Sequence, residues 1–364
     1  MFVGITNTPR DYAWGSDGAI SELLGQPASG RAEAELWLGA HEGSPSRVEG
    51  TTQTLIDVVG GRLPFLLKVL AAKSSLSLQA HPTMEQAAAG FARENALGIP
   101  LDAPDRNYRD AFHKPELIYA LEDGFQALCG FRSADDIRAT FQTLLPESRG
   151  LLDRLAGDDA IRDVFRWLIT RGEGVDDLVA AVVRAAGTRT DLGTVGFLSR
   201  SFPGDPGIVI SLMLNEVTLA KGEVLYLPAG NIHAYLRGIG IELMASSDNV
   251  LRGGLTPKHI DVPELLSVLD FRPVPVPYLE AEHPEPGVAV FRPDVPDFVL
   301  VVIEDGGSVA LDGPAIALCT AGSLTVAGAH SRSELPRGGA LYLTADEGTV
   351  SFAGSGTVFV ATTG

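Results

Sequence analysis

Residues 207–238 read GIVISLMLNEVTLAKGEVLYLPAGNIHAYLRG. Short apolar runs alternate here with turn formers, KG at 221–222 and PAGN at 228–231. Strands of this length joined by tight Gly and Pro turns predict a β-sandwich or jelly roll. The texture returns after about residue 285, in FVLVVIEDG (298–306), AIALCTAGSLTV (315–326), GALYLTA (339–345) and GTVFVATTG (356–364). Toward the N-terminus, LPFLLKVLAA (63–72) and KPELIYALE (114–122) also read as strands. GEVLYLPAGNIHAY (222–235) and RGGALYLTADEGTV (337–350) place a turn, a strand and a turn in similar order. Two related β-barrels are therefore expected, one bearing polar residues and one without.

Between these regions the period changes. SADDIRATFQTLLPESRGLLDRL (133–155) and DDAIRDVFRWLITRG (158–172) carry apolar residues three and four apart, the spacing of a helix face. Ser133, followed three residues later by Asp136, predicts a helix N-terminus. VDDLVAAVVRAAG (175–187) ends in Gly187, a C-cap residue by type. A shorter helix is predicted over TMEQAAAGFARENA (83–96). The expected organisation is a discontinuous catalytic β domain over 1–130 and 200–275, a helical insertion over 131–199, and a C-terminal β domain over 276–364.

The chain has 364 residues, 45% hydrophobic and 20% charged, with 41 Gly and 23 Pro, which suits a globular protein rich in turns. Its formal net charge of −18 argues against nucleic acid and anionic membranes as partners. A phosphorylated substrate would need a local basic cluster to overcome that field. Cys129 and Cys319 stand far apart, neither a disulfide framework nor a thiolate zinc pattern. No apolar run approaches the roughly 20 residues that span a bilayer. MFVGITNTPRDYAWG lacks a basic segment followed by an apolar one, so a cytoplasmic location is expected.

In SLSLQAHPT (75–83), polar and apolar residues alternate as in a half-buried strand. Leu76, Leu78 and Ala80 share one face; Ser77, Gln79 and His81 share the other. A hydroxyl, an amide and an imidazole with no charge are an unusual solvent face. In FHKPELIYAL, Lys114, Glu116 and Ile118 would share a strand face. In LPAGNIHAYLRG, a turn is followed by His233 and Tyr235 pointing the same way, and GIELMASSDNVLRGGLTPKHID adds Glu242, Arg252 and Lys258. Gln79, His81, Glu116 and His233 make up two imidazoles, a carboxylate and an amide oxygen. That set suits Zn²⁺ in an open site, with Mn²⁺, Co²⁺ or Fe²⁺ as alternatives. Taken singly, each residue is equally a satisfied core or surface group.

In this order, LPFLLKVLAAKSSLSLQAHPT, HKPE, LPAGNIHAYL and SDNVLRGGLTPKHID resemble type I phosphomannose isomerases, over roughly residues 1–270. Where that family usually has Asn before the His of HKPE, this chain has Phe112. The resemblance implies a mainly β fold of two cupin-type jelly-roll barrels with an α-helical insertion. It also implies one zinc per chain on Gln79, His81, Glu116 and His233, and interconversion of mannose 6-phosphate and fructose 6-phosphate through a cis-enediol, supplying GDP-mannose biosynthesis.

For the proton shuttle, Lys114, Glu242 and a metal-bound water are the candidates, with Arg252 set against charge developing on the enediolate. Ser77 and Lys68, on adjacent strands in the family pattern, with Lys258, are expected to meet the phosphate, and Tyr235 to line the pocket. The partner implied is a small phosphosugar and the chain a monomer, a dimer being the alternative. Another phosphosugar isomerase or epimerase is one rival reading. A cupin that binds without turnover is a second, though it would have little use for Lys114, Glu242 and Arg252 together.

Overall fold

The computed structural model describes every residue of the chain except Glu147 and Asp158. The described residues form two antiparallel sheets, of nine and ten strands, with the helices between Ala134 and Met213 packed together against strands of the smaller. No helix among them is long and apolar enough to cross a membrane.

The nine-stranded sheet is organised by one long strand, His233–Ala245. Its second half pairs with Phe65–Ala72 on one edge and Glu116–Ala120 on the other. Its first half pairs with Leu78–Ala80 and Phe125–Phe131. A single strand thus joins the segments carrying the QAHP, HKPE and NIHAY motifs, and directly opposed residues present their side chains on one face. Register sets Gln79 between His233 and Arg252, and sets Glu242 opposite Lys68.

The alternation at SLSLQAHPT has a structural reason. Leu78 and Ala80 pack into the core shared with the helical block, alongside Ile137, Phe165 and Ile208. Gln79 and His81 face the other way. The regular strand spans only Leu78–Ala80, shorter than the 75–83 alternation predicts, and Leu76 packs with Trp14 on a separate cluster of the same sheet. Pro82 lacks a ladder N–H, and Thr83 caps the helix Met84–Ala96, so the chain leaves the sheet there.

The helical period is met by Ala134–Leu144, Arg149–Arg154, Ala160–Ile169 and Val175–Ala186; Glu147 and Asp158, within the predicted stretches, lie outside the described residues. Ser133 caps the first of these, its side chain accepting from the Asp136 N–H. Gly187 is a C-cap in right-handed geometry, φ −63°, so nothing there requires glycine.

Two expectations are corrected. GIVISLM is helical over Gly207–Ile210 and Ser211–Met213, not a strand, because a short buried apolar run looks the same in either state. Phe2–Thr6 and Arg47–Val48, placed by the sequence with the catalytic unit, hydrogen-bond into the other sheet beside Ala340–Leu343. Nothing in a five-residue strand announces a partner more than 300 positions away. The two sheets pack through a shared core that includes Phe65, Leu67 and Leu243 from one, and Phe298, Leu300 and Phe359 from the other. The opposite face of the ten-stranded sheet buries an aliphatic cluster, Val301, Ala317, Val360 and their neighbours.

Candidate metal centre

His81, Glu116 and His233 are fully buried, and one ligand atom from each lies within 4.8 Å of the others. Glu116 Oε1 stands 2.9 Å from His233 Nε2, and Oε2 stands 3.4 Å from His81 Nε2. His81 Nδ1 donates to the Asn249 carbonyl at 2.7 Å, and His233 Nδ1 to the Asn231 carbonyl at 3.0 Å. A carbonyl can only accept, so each Nδ1 holds the proton and each Nε2 turns a lone pair toward Glu116. Gln79 closes the group, its amide 3.3 Å from His233 Nε2; a half-turn of that amide presents its oxygen instead.

The carboxylate is incompletely satisfied. Glu116 Oε2 is buried with no hydrogen-bond donor among the described residues, although Lys114 Nζ lies 3.1 Å away off the bonding direction. A buried carboxylate set between two imidazole lone pairs, with one oxygen accepting no hydrogen bond and only the Lys114 charge to offset it, is what a divalent cation would relieve. Burial pushes the Glu116 carboxyl up, but Lys114, His233 and His81 outweigh it and hold it well below the usual range. Burial, then Lys114, pulls His81 down to about 4, so the ring stays neutral and free to coordinate. Tyr235 Oη donates to Glu116 Oε1 at 3.3 Å and is itself buried.

Lys68 forms a separate buried network. Its Nζ lies 2.8 Å from Glu242 Oε2, 3.6 Å from Glu35 Oε1 and 5.0 Å from the Trp37 ring centre. Trp37 Nε1 in turn donates to Glu35 Oε2 at 2.9 Å. Burial lowers the Lys68 ammonium, but Glu242 and Glu35 more than offset it and leave it raised. Burial lifts Glu242, and Glu116 and Glu35 add to this beyond what Lys68 offsets. Lys68, expected at the phosphate, is thus engaged with two carboxylates. It is also not on a strand adjacent to Ser77, since His233–Ala245 lies between the two and Ser77 precedes its strand.

Arg109, Arg252 and Lys258 lie close enough together to act on one another. Burial, then Arg109, lowers Arg252; burial, then Arg252 and Arg109, lowers Lys258. None of these three is ion-paired among the described residues, so in a chain of charge −18 they form a local group of uncompensated cations. Arg109 was missed by the sequence reading. It lies four residues before His113, with its backbone N–H held by the Asn249 side chain at 2.7 Å. Asn249, also missed, binds Asp110, Phe112 and His81 at once, and SDN in the fourth motif was its only signal. Phe112 itself is exposed, with Arg62 lying 3.5 Å over its ring, while its carbonyl accepts from Asn249.

Fold and site together define the class: a two-sheet β protein with a buried nitrogen–oxygen metal centre flanked by fixed cations. Residues 2–134 match the family model described as phosphomannose isomerase type I, catalytic domain. The mannose-6-phosphate isomerase of Escherichia coli K12 is 35% identical over 381 residues, covering 97% of each chain. That of Bos taurus is 34% identical, covering 93% of this chain and 92% of the relative. A zinc-bound crystal structure of mannose 6-phosphate isomerase superposes with a TM-score of 0.90 at 34% identity, covering 100% of this chain and 99% of that one. This chain belongs to the mannose-6-phosphate isomerase family, type I.

Proposed function

We propose that this chain interconverts mannose 6-phosphate and fructose 6-phosphate, with one zinc ion held by Gln79, His81, Glu116 and His233. The observation that carries the reading is the buried Glu116 carboxylate, one oxygen of which accepts no hydrogen bond, set between two imidazoles whose protons are locked on the far nitrogen. When bound, zinc supplies a Lewis acid and template for the sugar oxygens. The isomerisation itself moves a proton between C2 and C1 of the open-chain sugar while the carbonyl moves from C1 to C2.

Glu242 is the base that removes the C2 proton and returns it to C1. Its basicity is raised by burial and neighbouring carboxylates, and Lys68 holds its orientation. Lys114, 3.1 Å from Glu116, sits where it can donate to a sugar oxygen as charge shifts along the enediol. Arg252, beside Gln79 in register, offsets the negative charge that develops there as a fixed cation. Arg109, Lys258 and Ser77 hold the phosphate, and Tyr235 orients Glu116. Lys68 serves Glu242 in this reading, not the phosphate.

We also read the two sheets as cupin-type jelly rolls, with the helical block as an insertion and domain bounds close to 131–199 and 276–364. The nine-stranded sheet, shared among strands on both edges of His233–Ala245, supports the barrel reading. A cytoplasmic monomer supplying mannose precursors completes the proposal, and the charge of −18 favours chains that stay apart.

A coupled assay of fructose 6-phosphate formation from mannose 6-phosphate, before and after chelation, tests the reading. Turnover is abolished by the chelator and restored by zinc; folded, zinc-loaded protein without turnover would instead favour a binding cupin. The phosphate cluster carries its own expectation. Arg109→Ala raises KM for mannose 6-phosphate about tenfold while kcat changes little, since a partly exposed charge on phosphate gives uniform binding worth about 1.4 kcal/mol. Steady-state kinetics decide it, and an unchanged KM removes Arg109 from the phosphate site.

A further inference from the structure

A cleft of about 600 Å³ lies away from the metal centre, between the two sheets. Tyr119 forms part of its wall. It stands on the strand Glu116–Ala120, three residues from the ligand Glu116 and so on the opposite face of that strand. The cleft is therefore behind the metal site, not an extension of it.

The lining combines two chemistries. Its floor is aliphatic, with Val224, Val288 and Val302 contributed by both sheets. Its polar groups are the carboxylates Glu223, Glu280 and Glu304, the phenol Tyr278 and His283, with no Lys or Arg among them. A volume near 600 Å³ falls in the range of small-molecule sites.

Tyr119 supplies a hydroxyl on a fixed ring that faces the cleft. The residue is 7% exposed, its ring fixed edge-on against Phe291 and Phe359 at 5.8 and 5.1 Å between centres. Yet its hydroxyl has no hydrogen-bond partner among the described residues, and it lies beside Gly222 of the cleft lining, 3.6 Å from where a β-carbon there would sit. The ring is buried but the oxygen is not sealed from water: it is presented to the cleft, where it is free to bond an occupant. Here burial, then Glu304, raises the phenol, and burial, then Glu223, raises Tyr278, so both phenols sit in a negative field.

We propose that this cleft is a second ligand site, taking a small organic cation with an aliphatic body, of the diamine class. The aliphatic floor would cover the methylenes, the carboxylates would meet the ammonium groups, and the Tyr119 oxygen would accept from one of them. Anionic sugar phosphates are repelled by the same carboxylates, so the isomerase substrate is not the occupant. The site is independent of the isomerase reading.

The test is calorimetric titration of the zinc-loaded full chain with butane-1,4-diamine in about 0.15 M salt, which shortens surface attraction to about 8 Å. Butane-1,4-diol, of the same length but uncharged, is the control. One saturable site for the diamine is expected, weakened about tenfold by Tyr119→Phe and by Glu304→Gln, with turnover of mannose 6-phosphate unchanged in both variants. Glu334→Gln, an exposed carboxylate elsewhere on the ten-stranded sheet, leaves the affinity as it was. Absence of saturable heat, equal binding of the diol, or a loss in Glu334→Gln as large as in Glu304→Gln would overturn the proposal. Retained turnover separates any of these from misfolding.

Discussion

Glu116→Gln leaves a folded chain that no longer retains zinc and has lost about 10³-fold or more in kcat/KM. The substitution keeps the shape of the side chain and an oxygen for the Tyr235 hydroxyl, but removes the charge that both imidazoles and Lys114 face. A Lewis-acidic metal supplies several kcal/mol of stabilisation to the transition state, and about 1.4 kcal/mol corresponds to each tenfold in rate. Loss of the carboxylate also leaves the buried Lys114 ammonium uncompensated, which costs roughly 3–5 kcal/mol of stability. Metal content after dialysis, thermal melting and steady-state rates are the measurements. A variant that holds one zinc per chain and turns over normally would remove Glu116 from the ligand set. Loss of the fold without zinc would instead make the metal a structural one.

Much of this site was legible because its motifs sit on strands whose period is two. SLSLQAHPT announced its own two faces, and its core-facing residues, Leu78 and Ala80, do meet the helices. The capped helix at Ser133 was equally plain, since the cap is local chemistry between residues three apart. What could not be read was pairing at long range. That Glu242 opposes Lys68 depends on a register between segments 174 positions apart, and that Lys68 also reaches Glu35 depends on the pairing of a third strand. Lys68 therefore looked like a free cation when taken alone, and its two carboxylates became visible only with the fold. Arg109 was passed over for a similar reason, because an arginine in NYRDAFHKPE carries no mark of the cations it joins. The strand Phe2–Thr6 shows the limit most clearly, being a good strand by pattern whose sheet is decided entirely by residues near the other end of the chain.

The role of Glu242 rests on this same register, and Glu242→Gln is expected to lower kcat by about 10²–10⁴ while zinc content and KM stay close to those of the parent. The amide keeps the shape and can still accept from Lys68, which retains Glu35 as a counter-charge. What it loses is the ability to take a proton from C2. Because burial, Glu116 and Glu35 raise this carboxyl beyond what Lys68 offsets, the parent's kcat/KM falls on the acid side at a pH above that of an ordinary carboxylate. The sign follows from the role: a base works only when unprotonated, so a raised pKa moves the acid limb upward, and Glu242→Gln lacks that limb. Deuterium at C2 of mannose 6-phosphate distinguishes this residue from Lys114. If Glu242 is the base, Glu242→Gln neither releases the label to water nor transfers it to C1. Lys114→Ala, which removes a donor to the sugar oxygens and the charge beside Glu116 but leaves the base in place, still exchanges it slowly. The opposite pattern, exchange surviving in Glu242→Gln and vanishing in Lys114→Ala, would assign the proton to the lysine. Glu242 would then be left to hold Lys68 in place on the buried face of the sheet.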